Sequence, residues 1–170
     1  MIIQIRSYLP HRKKQKNDAT NLTGRYSQMT QPQYKLEELK IFHDKKETTD
    51  TYSNIYNGGT VGIFLDNVST MPACIKKICE NSINNSLMEN YKATGKVYTK
   101  DDFEISMTID LNINNGVLTI CTYVGYWDLD LSDTISIIDL DCYEEIKEYF
   151  FSELNRITTE RLNEIKSKMV

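Results

Sequence analysis

Residues 103–113 alternate apolar and polar positions without an error. Phe103, Ile105, Met107, Ile109, Leu111 and Ile113 fall on one side, and Glu104, Ser106, Thr108, Asp110 and Asn112 on the other. A period of two is the signature of a strand with one face on a core and the other in water. Asn115-Gly116 follows, a pair that tolerates positive φ, so the spacing predicts a type I′ hairpin turn there. Residues 117–127 return as a strand apolar on both faces, suited to the middle of a sheet, and Thr134 to Leu140 reads as a third strand. Upstream, Thr60 to Leu65 is a short apolar run between turn residues and predicts a buried strand. Ser69 or Thr70 can then cap a helix, with Pro72 in its first turn. Ile75, Ile78, Cys79, Ile83 and Leu87 form its apolar stripe, opposed by Lys76, Lys77, Glu80 and Asn84, and Gly95 suits a left-handed cap. Asp141-Cys142-Tyr143-Glu144 has the spacing of a capping box and opens a last helix to about Lys168. Its stripe runs through Ile146, Phe150, Leu154 and Ile157, then through Leu162, Ile165 and Met169 after a one-residue slip.

The first third of the chain is less regular. Residues 1–8 predict a short strand ended by Pro10, and His11 to about Gln31 is polar and aperiodic, as in a loop or arm. Pro32 to about His43 predicts a short helix from Leu36, Leu39 and Phe42, followed by a polar linker closing in Asn57-Gly58-Gly59. The expected fold is α+β: β-α, then a β-α-β-β-β-α unit whose antiparallel sheet carries its helices on one face. Residues 1–59 are expected to supply the N-terminal strand, basic arm, short helix and linker, and residues 60–170 the compact core with an acidic surface. Over 71–169 the element order resembles that of double-stranded-RNA-binding domains. Those domains open their last helix with lysines that straddle phosphates, whereas this chain places Asp141, Glu144 and Glu145 there with Lys147, a charge that repels RNA.

At 170 residues, 40% hydrophobic and 26% charged, the chain is long enough for one domain with a real core. Its apolar runs fall well short of the roughly 18 residues of a membrane helix, and the opening apolar stretch is too short for a signal peptide. A cytoplasmic location without membrane contact is therefore expected. Cys74, Cys79, Cys121 and Cys142 are irregularly spaced within apolar patterns, as free buried thiols are. The net charge of −4 is unevenly laid out: residues 1–50 hold ten Lys and Arg against six Asp and Glu, while 101–148 hold twelve carboxylates and one lysine, Lys147.

Several chemistries lack their parts. Cys74 opens a helix, where a dipole can lower a thiol pKa, but His11 and His43 lie in distant polar segments, so Cys74 reads as core. Cys74 and Cys79, five apart in a helix, point away from each other and do not start a zinc site. Residues 128–133 resemble the start of a calcium loop, yet Asp133 stands where the turning glycine belongs. Gly58-Gly59 precedes a strand rather than opening a helix, so no phosphate loop forms. No enzyme, cofactor or metal is implied.

Two charged surfaces remain. Glu104, Asp110, Asp128, Asp130, Asp133, Asp139, Asp141, Glu144, Glu145 and Glu148 are expected to form an outward acidic face that imitates a nucleic-acid backbone. Its partner would be a basic, nucleic-acid-binding protein, making the chain a protein-binding inhibitor of the anti-restriction or anti-CRISPR type found in phages and mobile elements. The alternative is a nucleic-acid-binding accessory protein that uses Arg6, Arg12, Lys13, Lys14, Lys16 and Arg25 against phosphates. The far end of the last helix, from Leu162, offers a surface for a homodimer.

Overall fold

The computed structural model describes residues 30–42 and 59–169. The predicted strand at 1–8 and the basic arm with Arg6, Arg12, Lys13, Lys14, Lys16 and Arg25 lie outside the described residues, as does most of the linker. Four strands form one antiparallel sheet in chain order: β1 (Thr60–Phe64), β2 (Glu104–Asn112), β3 (Leu118–Tyr126) and β4 (Leu129–Ser136). Helix α1 (Ala73–Thr94) connects β1 to β2, and α2 (Tyr143–Lys168) follows β4. Both helices pack on one sheet face, as the sequence pattern predicts.

The alternation of β2 decides which face that is. Ile105, Met107 and Ile109 are buried, and their partners Val124, Thr122 and Ile120 on β3 are buried with them. From α1, Ile75, Cys79, Ile83 and Leu87 close on these residues, each at 0% exposure. Burying an aliphatic side chain of this size contributes roughly 1.5–3 kcal/mol, so this interface dominates the stability of the fold. Ser82 and Thr122 interrupt the apolar contact, and both are buried. The Ser82 hydroxyl donates to Asp133 Oδ2 at 2.6 Å and lies 2.6 Å from Thr122 Oγ1. Because Ser82 has one proton and gives it to the carboxylate, Thr122 must donate to Ser82. This thread ties α1 to both β3 and β4.

Several local expectations are corrected. Residues 32–42 do not form the expected helix: one 3-10 turn, Leu36–Glu38, buries Leu36 and Leu39, and the chain then extends. Ile41 bridges Ile105 in parallel, with Phe42 N–H donating to Ile105 O and Ile105 N–H to Lys40 O. That pairing takes up the β2 edge where β1 has ended, and an extended pairing is incompatible with a helix. Residues 30–42 are held to the core by side chains from the supposed polar face of α1. Asn84 bonds both the N–H and C=O of Tyr34, and Glu80 accepts from Leu36 N–H. The buried Gln31 amide pairs with the backbone of Tyr98 in both directions, as a strand neighbour would.

The β2–β3 connection is not a two-residue type I′ turn. Asn112 N–H donates to Val117 O, leaving a four-residue loop in which Gly116, at φ 69°, is left-handed and Asn115 is not. Asn112 and Asn115 side chains accept from Asn114 and Val117 N–H, stabilising the longer loop. The third strand begins at Leu129 and ends at Ser136, earlier than the pattern implies, because Asp133 occupies an inward position and hides the alternation. Neither helix has a side-chain N-cap bond. Pro72 precedes α1 after a 3-10 turn over Val68–Thr70, and Cys142, not Asp141, is the N-cap of α2. Gly95 closes α1 in the left-handed region, with its N–H on Tyr91 O. Beyond Ile157, α2 leaves the core, and Leu162, Ile165 and Met169 are exposed.

Replacing Ser82 by Ala strands the Thr122 hydroxyl and the Asp133 carboxylate. Ser82→Ala is expected to lower unfolding free energy by about 1–3 kcal/mol in urea melts with an unchanged m-value.

Candidate functional site

The predicted acidic residues separate into four locations. Glu104, Asp128 and Asp130 gather at the sheet end that carries the β3–β4 turn. Asp110 sits on the uncovered face toward the other end of β2, and Asp133 faces the helices. Asp139 and Asp141 are exposed on the connection after β4, and Glu144, Glu145 and Glu148 follow in the first turns of α2. β4 begins beside Tyr126 and ends beside Thr119, so the last five lie one strand length, about 25 Å, from the turn. Since Asp128, Asp130 and Asp133 point to the tip, the outer face and the inner face, they do not converge as a calcium loop requires. Among the described residues no His, Cys, Asp and Glu group is placed to hold a metal ion.

Several carboxylates are already engaged. Lys40 pairs with Glu104, Lys96 with Asp128, and Lys147 with Glu144. The Lys96 hydrogen bond holds the Asp128 carboxyl below its ordinary range, and the bond to Glu104 raises Lys40. Asp130 has no such lysine among the described residues, and burial together with its nearby charge raises the Tyr123 phenol.

At the turn end the register builds a second feature that the charge pattern does not reveal. Glu104 stands opposite Gly125, and Gly125 opposite Asp130, all on the outer face. Tyr123 lies two residues from Gly125 on that face, and its ring crosses the glycine. A Cβ on Gly125 would fall 2.2–2.4 Å from the phenol end of Tyr123, so glycine is what leaves room for the ring there. Phe42 arrives on the same side because Ile41 is bridged inward against Ile105. Tyr126 and Trp127 close the end with ring centroids 5.5 Å apart at 84°, a right-angled corner. Phe42, Glu104, Tyr123, Tyr126, Trp127 and Asp130 thus line a shallow depression of about 440 Å³. A neighbouring depression of about 340 Å³ shares Glu104 and Tyr126 and adds Glu38, Lys40, Lys100 and Asp101.

Trp127 is the outlier. It is the single tryptophan of the chain and is 91% exposed. It opens the two-residue connection between Tyr126 and Leu129 at φ 43°, in the left-handed region where glycine or asparagine is usual. Left-handed backbone costs a side-chain-bearing residue roughly 1–2 kcal/mol, and such strain collects at functional positions. Sequence reasoning missed Phe42, Tyr123, Tyr126 and Trp127. The available signal was Tyr123-x-x-Tyr126-Trp127 beside Asp128 and Asp130, with Tyr123 and Gly125 sharing strand parity with Glu104.

The remaining candidates are inert or structural. Cys74 packs partly against the core, and burial, Glu145 and Cys142 push its thiol up to about 12, so it stays protonated at neutral pH. Asp110 faces Gly62, where an added Cβ would lie 2.4 Å from its Oδ1, and Cys121 Sγ donates to it at 3.4 Å. Burial raises the Asp110 carboxyl despite the bond from Cys121. Comparison with known protein families, curated proteins and solved structures gives no match.

Two outcomes follow. Trp127→Gly removes the left-handed strain and is expected to raise unfolding free energy by about 1 kcal/mol, read by circular dichroism during urea denaturation. For Asp110, the folded state binds its proton more tightly than the unfolded chain does. Stability from this group is therefore present at low pH and declines as pH rises from about 4 through the raised folded value. Asp110→Asn is expected to raise the melting temperature at pH 7 and to lose that advantage near pH 4.

Proposed function

We propose that this chain is a non-enzymatic binding protein whose contact surface is the β3–β4 end of the sheet, and that its partner presents a basic segment. The supporting observation is Trp127: a strained, almost fully exposed aromatic side chain held in a corner with Tyr126 and surrounded by Glu104, Asp128 and Asp130. Exposed tryptophan and tyrosine anchors flanked by charge are the usual composition of energetically dominant interface residues. Acidic residues at the same end favour encounter with a positively charged surface. Where that surface is the nucleic-acid groove of a basic protein, occupying it makes the chain an inhibitor of the anti-restriction or anti-CRISPR kind, acting in the cytoplasm. The free state of Cys74, Cys79, Cys121 and Cys142 suits a reducing compartment. No helix of the described residues is long and apolar enough to cross a membrane.

The test uses basic partners captured from a bacterial lysate, each loaded with fluorescent DNA or guide RNA. Titrating the full chain should displace the nucleic acid, read by anisotropy, with a salt-sensitive midpoint. The pair Trp127→Ala, Asp130→Lys should shift that midpoint by about tenfold or more, while reversing Asp139 and Asp141 leaves it in place. Displacement that depends on Asp139 and Asp141 but not on Trp127, or no displacement of nucleic acid from any basic partner, would overturn the proposal.

A further inference from the structure

Resting on that assignment, we infer that the depression between Phe42, Tyr123, Tyr126 and Trp127 is a subsite for one arginine side chain of the partner. The chemistry of its lining selects this occupant. Tyr126 and Trp127 present ring planes at 84°, and the Tyr123 ring crosses over Gly125, so the depression is lined by aromatic rings in more than one orientation. π-Faces attract a cation and also stack with a planar one. Glu104 and Asp130 stand at the same depression. Lys40 occupies Glu104, whereas among the described residues no lysine or arginine pairs with Asp130, which stands beside Tyr123. A guanidinium satisfies both demands at once: its plane stacks on a ring while its fork of N–H donors reaches the carboxylate. A lysine ammonium is strongly hydrated and does not stack, and a fully methylated ammonium has no donor for Asp130. An anionic or purely apolar occupant leaves that carboxylate desolvated without a partner.

The site carries its own reporter, because Trp127 is the single tryptophan. The full chain is titrated at constant ionic strength with a tri-arginine peptide, a tri-lysine peptide of equal length, and tetramethylammonium chloride, following Trp127 emission. The tri-arginine peptide should give a saturable change and bind about fivefold more tightly than tri-lysine. Asp130→Asn and Tyr123→Ala should each bring its affinity down to the tri-lysine level without altering circular dichroism. Gly125→Ala, which only forces the Tyr123 ring aside, should have the same effect and guards against a folding defect in the other two. Equal affinity for the two peptides overturns the arginine subsite and leaves the acidic sheet end standing as a general cation-attracting surface. Competition by tetramethylammonium as effective as by tri-arginine also overturns it, since the carboxylate would then make no hydrogen bond. Absence of any saturable response to all three probes overturns both the subsite and the sheet-end assignment.

Discussion

The register between β2, β3 and β4 places the strand side chains of the candidate site. Because successive residues of a strand point to opposite faces, pairing Glu104 with Gly125 and Gly125 with Asp130 puts the two carboxylates outward on either side of a residue without a side chain. The gap is filled by Tyr123 from the same strand and face. A slip of one residue would send Ile105, Met107 and Ile109 into water and Glu104 and Asp110 into the core. The apolar face of β2 therefore protects the geometry of the polar one. The core and the binding surface are two consequences of one alternation.

Polar contacts then bring in what the alternation cannot. The thread from Thr122 through Ser82 to Asp133 sets α1 against the two strands of the candidate site. It sits inside an apolar interface, where each unmet hydrogen bond is costly, so it restricts the helix to one rotation and height. On its other flank, α1 uses Glu80 and Asn84 to fix residues 34–36, and Gln31 fixes the start of that segment on Tyr98. Those contacts carry the chain to the β2 edge, where pairing of Lys40 and Phe42 with Ile105 delivers Lys40 to Glu104 and Phe42 to the aromatic depression.

The acidic surplus of residues 101–148 acquires a different meaning in three dimensions. In sequence it is one block; in the fold its members occupy opposite sheet ends and both sheet faces. Separation by about a strand length exceeds the screening distance of roughly 8 Å at physiological salt, which relieves much of the mutual repulsion. Lysines that are remote in sequence, Lys40 and Lys96, come to the turn end and neutralise part of its charge. What remains distinctive there is the combination of Asp130 with exposed aromatic rings, rather than the number of carboxylates.

The α+β class, the central strands, the apolar stripe of α1 and the presence of a long final helix were legible in the chain's pattern. These follow from local periodicity, and tertiary contacts enforce the same faces that periodicity names. It did not determine that Leu36, Leu39 and Phe42, spaced as on a helix, would serve a 3-10 turn and a sheet edge, because an unfilled edge of β2 decides that. Nor did it show that Asp133 turns inward, since only the proximity of Ser82 makes an inward carboxylate affordable. Trp127 lies beyond any local rule: its turn takes a left-handed residue where no glycine or asparagine stands. Pairing of β3 with β4 on both sides imposes that conformation, and strand register together with the segment that delivers Phe42 makes the surrounding rings and carboxylates its neighbours.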